Sequence, residues 1–216
     1  MTMPTMTRPT MTAKFITIEG TEGVGKSTNI AVIENFLTTK NIPFILTREP
    51  GGTPMAEEIR RVLLTPREEL VDENAELLLM FAARAQHLSQ KIKPTLAQGI
   101  WVICDRFTDA TYAYQGGGRG VSLEKIEQLE NFVQADLRPD ATIILDAPVE
   151  IGLKRAASRG KLDRFETEKL HFFEKVRKVY LQRAKNSPSQ YHIIDAWQSM
   201  EVVKAEVENV MAKLTQ

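Results

Sequence analysis

Gly20-Thr21-Glu22-Gly23-Val24-Gly25-Lys26-Ser27 matches the pattern G-x-x-x-x-G-K-[ST] in full, between a β-branched apolar run at 15–18 and a segment of helical spacing that follows at once. Strand, loop and helix in that order are the context in which this pattern binds phosphate. Its glycines let the backbone curl until successive N–H groups converge on phosphate oxygens, and the helix N-terminus adds a partial positive charge. Lys26 is then expected to reach the β- and γ-phosphates of a nucleoside triphosphate. Ser27 offers a hydroxyl suited to Mg²⁺, which takes few protein oxygens and keeps several waters.

Outward from this loop, further runs at 44–46, 101–104, 142–145 and 192–194 alternate with longer segments of helical spacing. The alternation predicts an α/β fold in which five strands form a parallel sheet flanked by helices. Leu123, Ile126, Leu129 and Val133 mark one helix, and Val203, Val207, Val210 and Leu214 another. Pro43, Pro50-Gly51-Gly52, Pro66, Gly116-Gly117-Gly118, Pro139 and Gly160 read as breaks between elements. In such sheets ligands sit in the strand-to-helix loops.

A chain of 216 residues, 43% hydrophobic, suits one sizeable core, so residues 13–216 are expected to form a single domain behind a disordered polar leader at 1–12. Lys plus Arg and Asp plus Glu both number 28, which leaves no basic surplus for a nucleic-acid partner. No run approaches the roughly 18 apolar residues of a membrane span. The single cysteine lies in the apolar run Ile100-Trp101-Val102-Ile103-Cys104, which points to a reducing, cytoplasmic setting.

The phosphate loop alone does not separate kinases from switches and motors. No N-K-x-D-type guanine-reading motif is present, which weakens a GTPase reading. Arginine supplies the rest of the argument. Arg48 and Arg106 each follow a predicted strand and so project at the edge that holds the loop, where a guanidinium fork matches phosphate oxygens. Asp105 closes the third strand, where an acidic partner for Mg²⁺ or its water shell is expected. A second arginine group, Arg155, Arg159 and Arg164, lies in a segment poor in large apolar residues and reads as a lid over about 154–166. The loop residues Thr21, Glu22 and Val24 include no arginine, so a cation for the transferring phosphoryl group has to come from that lid. No general base is needed if the acceptor is itself a phosphate, whose second pKa is near 6. His87, His171 and His192 have no metal-ligand spacing and are read as packing or surface residues.

With the loop, Thr47-Arg48-Glu49-Pro50-Gly51-Gly52-Thr53, Asp105-Arg106-Phe107 and Tyr114-Gln115-Gly116-Gly117-Gly118-Arg119-Gly120 in order, the chain resembles the bacterial thymidylate kinases from about residue 14 to its end. The resemblance implies transfer from Mg·ATP to dTMP, a P-loop fold and a homodimer. It implies ATP on Gly20, Thr21, Glu22, Gly23, Val24, Gly25, Lys26, Ser27 and Thr28 with Arg155 and Arg164, and a catalytic arginine in the lid at Arg159. On the acceptor side it implies Glu22 at the sugar 3′-OH, Arg48 and Arg106 at the phosphate, and Tyr114 against the 2′ carbon. Arg84, Thr111 and Gln115 are implied around the thymine. The residue stacked on the base is expected to be Phe81, three before Arg84, although relatives often place the aromatic four before, which here is Met80. Ala110 stands where relatives often carry a hydroxyl. Two other readings remain open at this stage: a kinase for another monophosphate, and a regulatory P-loop ATPase that hydrolyses ATP slowly without an acceptor.

Overall fold

The computed structural model describes residues 12–158 and 163–216. The expected leader, apart from Thr12, thus lies outside the described residues, as do Arg159 and Gly160 of the expected lid. Strands β1 (Phe15–Glu19), β2 (Phe44–Arg48), β3 (Trp101–Asp105), β4 (Ala141–Asp146) and β5 (Tyr191–Asp195) form one sheet in the order β2-β3-β1-β4-β5. Every pairing is parallel. Each predicted run is present, and each strand continues past it to a charged residue: Glu19, Arg48, Asp105, Asp146 and Asp195. Apolar patterning detects only the part packed under helices. The last residue keeps the backbone ladder while its side chain stands at the carboxyl edge.

The helices are α1 (Lys26–Thr39), α2 (Pro54–Leu64), α3 (Glu73–His87), α4 (Lys93–Ala97), α5 (Thr108–Thr111), α6 (Leu123–Gln134), α7 (Val149–Ala157), α8 (Leu170–Asn186) and α9 (Met200–Leu214). The two expected by spacing are α6 and α9. Alternation along β1 sorts the core. Ile16 and Ile18 pack with Ile33 and Leu37 of α1 and Val207 and Met211 of α9, while Phe15 turns to Val102, Cys104 and Phe107. Burial of each such side chain stabilises the fold by about 1.5–3 kcal/mol. On α8, Phe173, Val176 and Tyr180 close over Ile144.

The triple glycine at 116–118 departs from expectation. It does not break a helix but lies inside a π-helical turn, Tyr112–Gly118, that continues α5. The reason is close packing of α8. A Cβ on Gly117 would lie 2.7 Å from Val179 Cγ2, and one on Gly118 2.3 Å from a Phe172 ring carbon. Among the described residues no helix is long and apolar enough to cross a membrane.

Strand register sets up the site. Asp105 lies opposite both Arg48 and Ile18, so the ends of β2, β3 and β1 finish side by side. The loop after β1, Arg48 and the Asp105-Arg106 turn therefore share one edge, about one strand spacing of 4.8 Å apart.

Candidate active site

At this edge a cavity of about 560 Å³ runs from Gly23, Gly25, Lys26, Ser27 and Thr28 at one end to Arg48, Arg60, Arg84 and Arg106 at the other. The glycine-rich loop and the arginine cluster thus open into one space. Lys26 Nζ donates to the carbonyls of Gly20 at 3.2 Å and Thr21 at 3.1 Å, which folds the side chain back along its own loop. Burial, with Arg106 next in weight, lowers its pKa to about 8.

The loop is braced from behind. A Cβ on Gly23, whose φ is +69°, would fall 1.9 Å from the Gly152 carbonyl oxygen, and a Cβ on Gly152 would fall 2.3 Å from the Glu22 carbonyl oxygen. The loop and α7 touch backbone to backbone. Gly152→Ala is therefore expected to displace the loop and raise KM for ATP at least tenfold, with a lowered melting temperature from overpacking worth about 1–3 kcal/mol. A thermal melt and an ATP titration check it, and an unchanged KM would mean that the loop has room to move.

Arg106 follows β3 with φ +68°, in the left-handed region. Three partners fix its guanidinium: the Gly20 carbonyl at 2.7 Å, Tyr180 Oη at 3.2 Å and Glu22 Oε1 at 3.0 Å. Glu19, fully buried, holds the turn by accepting the Phe107 N–H at 2.6 Å and the Tyr180 hydroxyl at 2.8 Å. Tyr114 donates to Glu22 Oε1 at 2.6 Å. Arg84 is held by Glu49 Oε2 at 2.7 Å and Thr111 Oγ1 at 2.9 Å, and Glu49 also faces His87 Nδ1 at 3.0 Å.

Buried polar atoms without partners are rare in folded proteins and ask for an explanation. Five such side-chain atoms occur among the described residues, and three belong to the cavity: Glu22 Oε2, Arg84 Nη1 and Asp105 Oδ1. An acceptor, a donor and a candidate metal oxygen are thus unpaired and shielded from solvent in the wall of the cavity. No cluster of three or more His, Cys, Asp or Glu side chains able to hold a metal occurs among the described residues. The Ser27 hydroxyl and Asp105 on the cavity wall, with its unpaired Oδ1, instead suit Mg²⁺ carried in with phosphates, which needs one or two carboxylates and otherwise keeps water.

Residues 18–207 match the family model described as thymidylate kinase. The chain belongs to the thymidylate kinase family. The thymidylate kinase of Ectopseudomonas mendocina (strain ymp) is 58% identical over 204 residues, covering 94% of this chain and 97% of the relative. That of Teredinibacter turnerae (strain ATCC 39867 / T7901) is 58% identical over 201 residues, covering 93% and 98%. The crystal structure of thymidylate kinase from Ehrlichia chaffeensis superposes with a TM-score of 0.73 at 35% identity, over 93% of this chain and 98% of that one. Membership of the thymidylate kinases makes the chain a nucleoside monophosphate kinase with the P-loop fold.

Most residues expected from the thymidylate kinase motifs meet at the cavity: Glu22, Lys26, Ser27, Thr28, Arg48, Arg84, Asp105, Arg106, Thr111, Tyr114, Gln115 and Arg155 line it. Gly20, Thr21 and Val24 shape the loop behind it. Two expectations are corrected. Phe81 does not line the cavity; it is 2% exposed, packs with Leu77, Tyr112 and Ile126, and sits under Arg84, whose Cζ lies 4.8 Å from its ring centroid. Met80 lines the cavity in its place. Arg164 is absent from the wall as well. Its guanidinium is engaged by Glu76 Oε2 at 2.6 Å and the Leu63 carbonyl at 2.8 Å. Arg159 lies outside the described residues.

Arg60, Glu49 and Glu76 were not anticipated. Arg60 donates to the Pro50 carbonyl at 2.8 Å and lines the cavity. Its signal was helical: on α2 it shares a face with buried Ala56 and Leu63, at i−4 and i+3.

Proposed function

We propose that this chain transfers the γ-phosphoryl group of Mg·ATP to dTMP, giving ADP and dTDP in the supply of dTTP. The observation that carries the reading is one shared cavity, with the glycine-rich loop at one end and arginines at the other. ATP takes the loop from Gly20 to Thr28, with Arg155 on the same wall. Mg²⁺, held by Ser27 and Asp105, would neutralise charge on the β- and γ-phosphates. Arg48 and Arg106 clamp the dTMP phosphate, and the free Oε2 of Glu22 suits the sugar 3′-OH. The free Nη1 of Arg84 suits the thymine O4, and Met80 supplies the apolar contact over the base. Tyr114, pinned by Glu22, is the residue placed to crowd a ribose 2′-OH. The acceptor phosphate is largely ionised at neutral pH, so positioning and electrostatics do the work without a side-chain base.

A homodimer is part of the reading. Adjacent helices α2, α3 and α6 carry the exposed apolar side chains Val62, Leu78 and Phe132, the last 85% exposed. A reducing cytoplasmic setting is also part of it, supported by the lone buried Cys104.

A coupled assay of ADP formation with dTMP, dUMP and dCMP tests the function. One methyl in a pocket is worth about 1–3 kcal/mol, so dUMP should be poorer than dTMP by about 10–200-fold in kcat/KM. Cytosine presents an amino donor to Arg84, which has donors only, so dCMP should be poorer still. Equal use of dCMP and dTMP would refute the thymidylate assignment. ATP hydrolysis at full rate without any acceptor would favour a regulatory ATPase.

A further inference from the structure

Glu76 lies in the first turn of α3, with Met80 and Arg84 one and two turns further along the same face. It is fully buried, yet it belongs neither to the loop nor to the phosphate clamps. Three donors from outside its helix meet its carboxylate: Arg164 Nη2 on Oε2 at 2.6 Å, and Gln115 Nε2 at 2.7 Å and Arg119 Nε at 3.4 Å on Oε1. Gln115 is 1% exposed and lines the acceptor end of the cavity.

An amide has a donor end and an acceptor end, and its orientation is decided by its partners. A carboxylate held between two guanidiniums can only accept, so Gln115 must turn its NH₂ toward Glu76. Oε1 takes no hydrogen bond from the described residues and is the end left for the cavity. We propose that Glu76 is a positioning residue that fixes the Gln115 amide with its carbonyl toward the base, and thereby selects a pyrimidine carrying a hydrogen on ring N3.

The inference rests on the thymidylate reading above and deepens it. Thymine and uracil carry a donor at N3 and an acceptor at C4; cytosine carries the reverse. Arg84 Nη1 reads the C4 position as a donor and Gln115 Oε1 reads N3 as an acceptor. The two groups are matched to the keto base and mismatched to the amino base at both atoms. Neither half of this reading depends on the methyl group, so Glu76 bears on dTMP against dCMP and leaves dTMP against dUMP alone.

The test is the ratio of kcat/KM for dTMP to that for dCMP in wild type, Glu76→Gln, Gln115→Met and Arg164→Met. In Glu76→Gln the new amide has one acceptor, which the donor-only guanidiniums claim, so its NH₂ faces Gln115 and the Gln115 amide inverts. The ratio is expected to fall at least tenfold, with the dTMP to dUMP ratio unchanged within about twofold. Gln115→Met should lower it similarly, and adding Glu76→Gln to Gln115→Met should change it no further. Arg164→Met keeps the Glu76–Gln115 contact and should keep the ratio, whatever it does to turnover. An unchanged ratio in Glu76→Gln, or an equal fall in Arg164→Met, would overturn the proposal. If Glu76→Gln fails to fold, a wild-type ratio in Gln115→Met overturns it alone. A wild type that uses dCMP as well as dTMP would instead count against the function itself.

Discussion

Lys26→Ala is expected to lower kcat by about 10²–10³-fold, because on the proposed reading it removes the loop cation that meets the transferring phosphoryl group. Binding of dTMP should be largely preserved, since the arginines proposed to hold it line the other end of the cavity. Stability should not suffer. With its pKa lowered to about 8 by burial, below the unfolded value of 10.5, the protonated lysine is disfavoured by folding. That penalty is fully present below about pH 8 and fades as pH rises through the unfolded value, so at pH 7 the alanine variant should melt no lower than wild type. The same shift gives a pH limit. In the free enzyme Lys26 loses its proton above about pH 8, and kcat/KM for ATP should fall there, an inflection missing from the variant. Near-normal turnover in Lys26→Ala would sink the assignment of the ATP end.

Arg106→Ala is expected to lower kcat/KM for dTMP by about 10²–10³-fold, with a smaller effect on KM for ATP. The substitution deletes the proposed phosphate clamp and also strips Glu22 of its cation, leaving a buried carboxylate in the cavity wall. Both effects fall on the acceptor. Titration of dTMP and ATP separately checks the split. A rise confined to KM for ATP would place this arginine at the wrong phosphate.

The sheet, the loop and the pairing of Arg48 with Arg106 were legible because each rests on local pattern: a run, a motif, an arginine directly after a strand. The sites that were misjudged depend on angle or on distant partners. On a helix, a residue four before Arg84 lies about 40° from it, and one three before lies about 60° away on the other side. Met80 therefore shares the cavity face while Phe81 turns into the cluster with Tyr112 and Ile126. Arg164 could be read as a free lid cation because its partner, Glu76, lies 88 residues away. Glu49 stood within a quoted motif, yet its work is done through Arg84, 35 residues on. Of the charged strand ends, Arg48 and Asp105 leave the core to line the cavity, whereas Glu19 is buried beneath the Arg106 turn, a difference no apolar pattern reveals.

The left-handed backbone at Arg106 sets two demands against each other. A residue with a Cβ costs about 1–2 kcal/mol there, and glycine would remove that cost. Against a total stability of about 5–15 kcal/mol, the difference is not small. Glycine would relieve that strain but would leave the Gly20 carbonyl, the Tyr180 hydroxyl and the buried Glu22 carboxylate without their cation, a loss of about 3–5 kcal/mol for the ion pair alone. The strained backbone at this position is thus outweighed by what the side chain holds together, and a more thermostable variant of this enzyme should not be sought there.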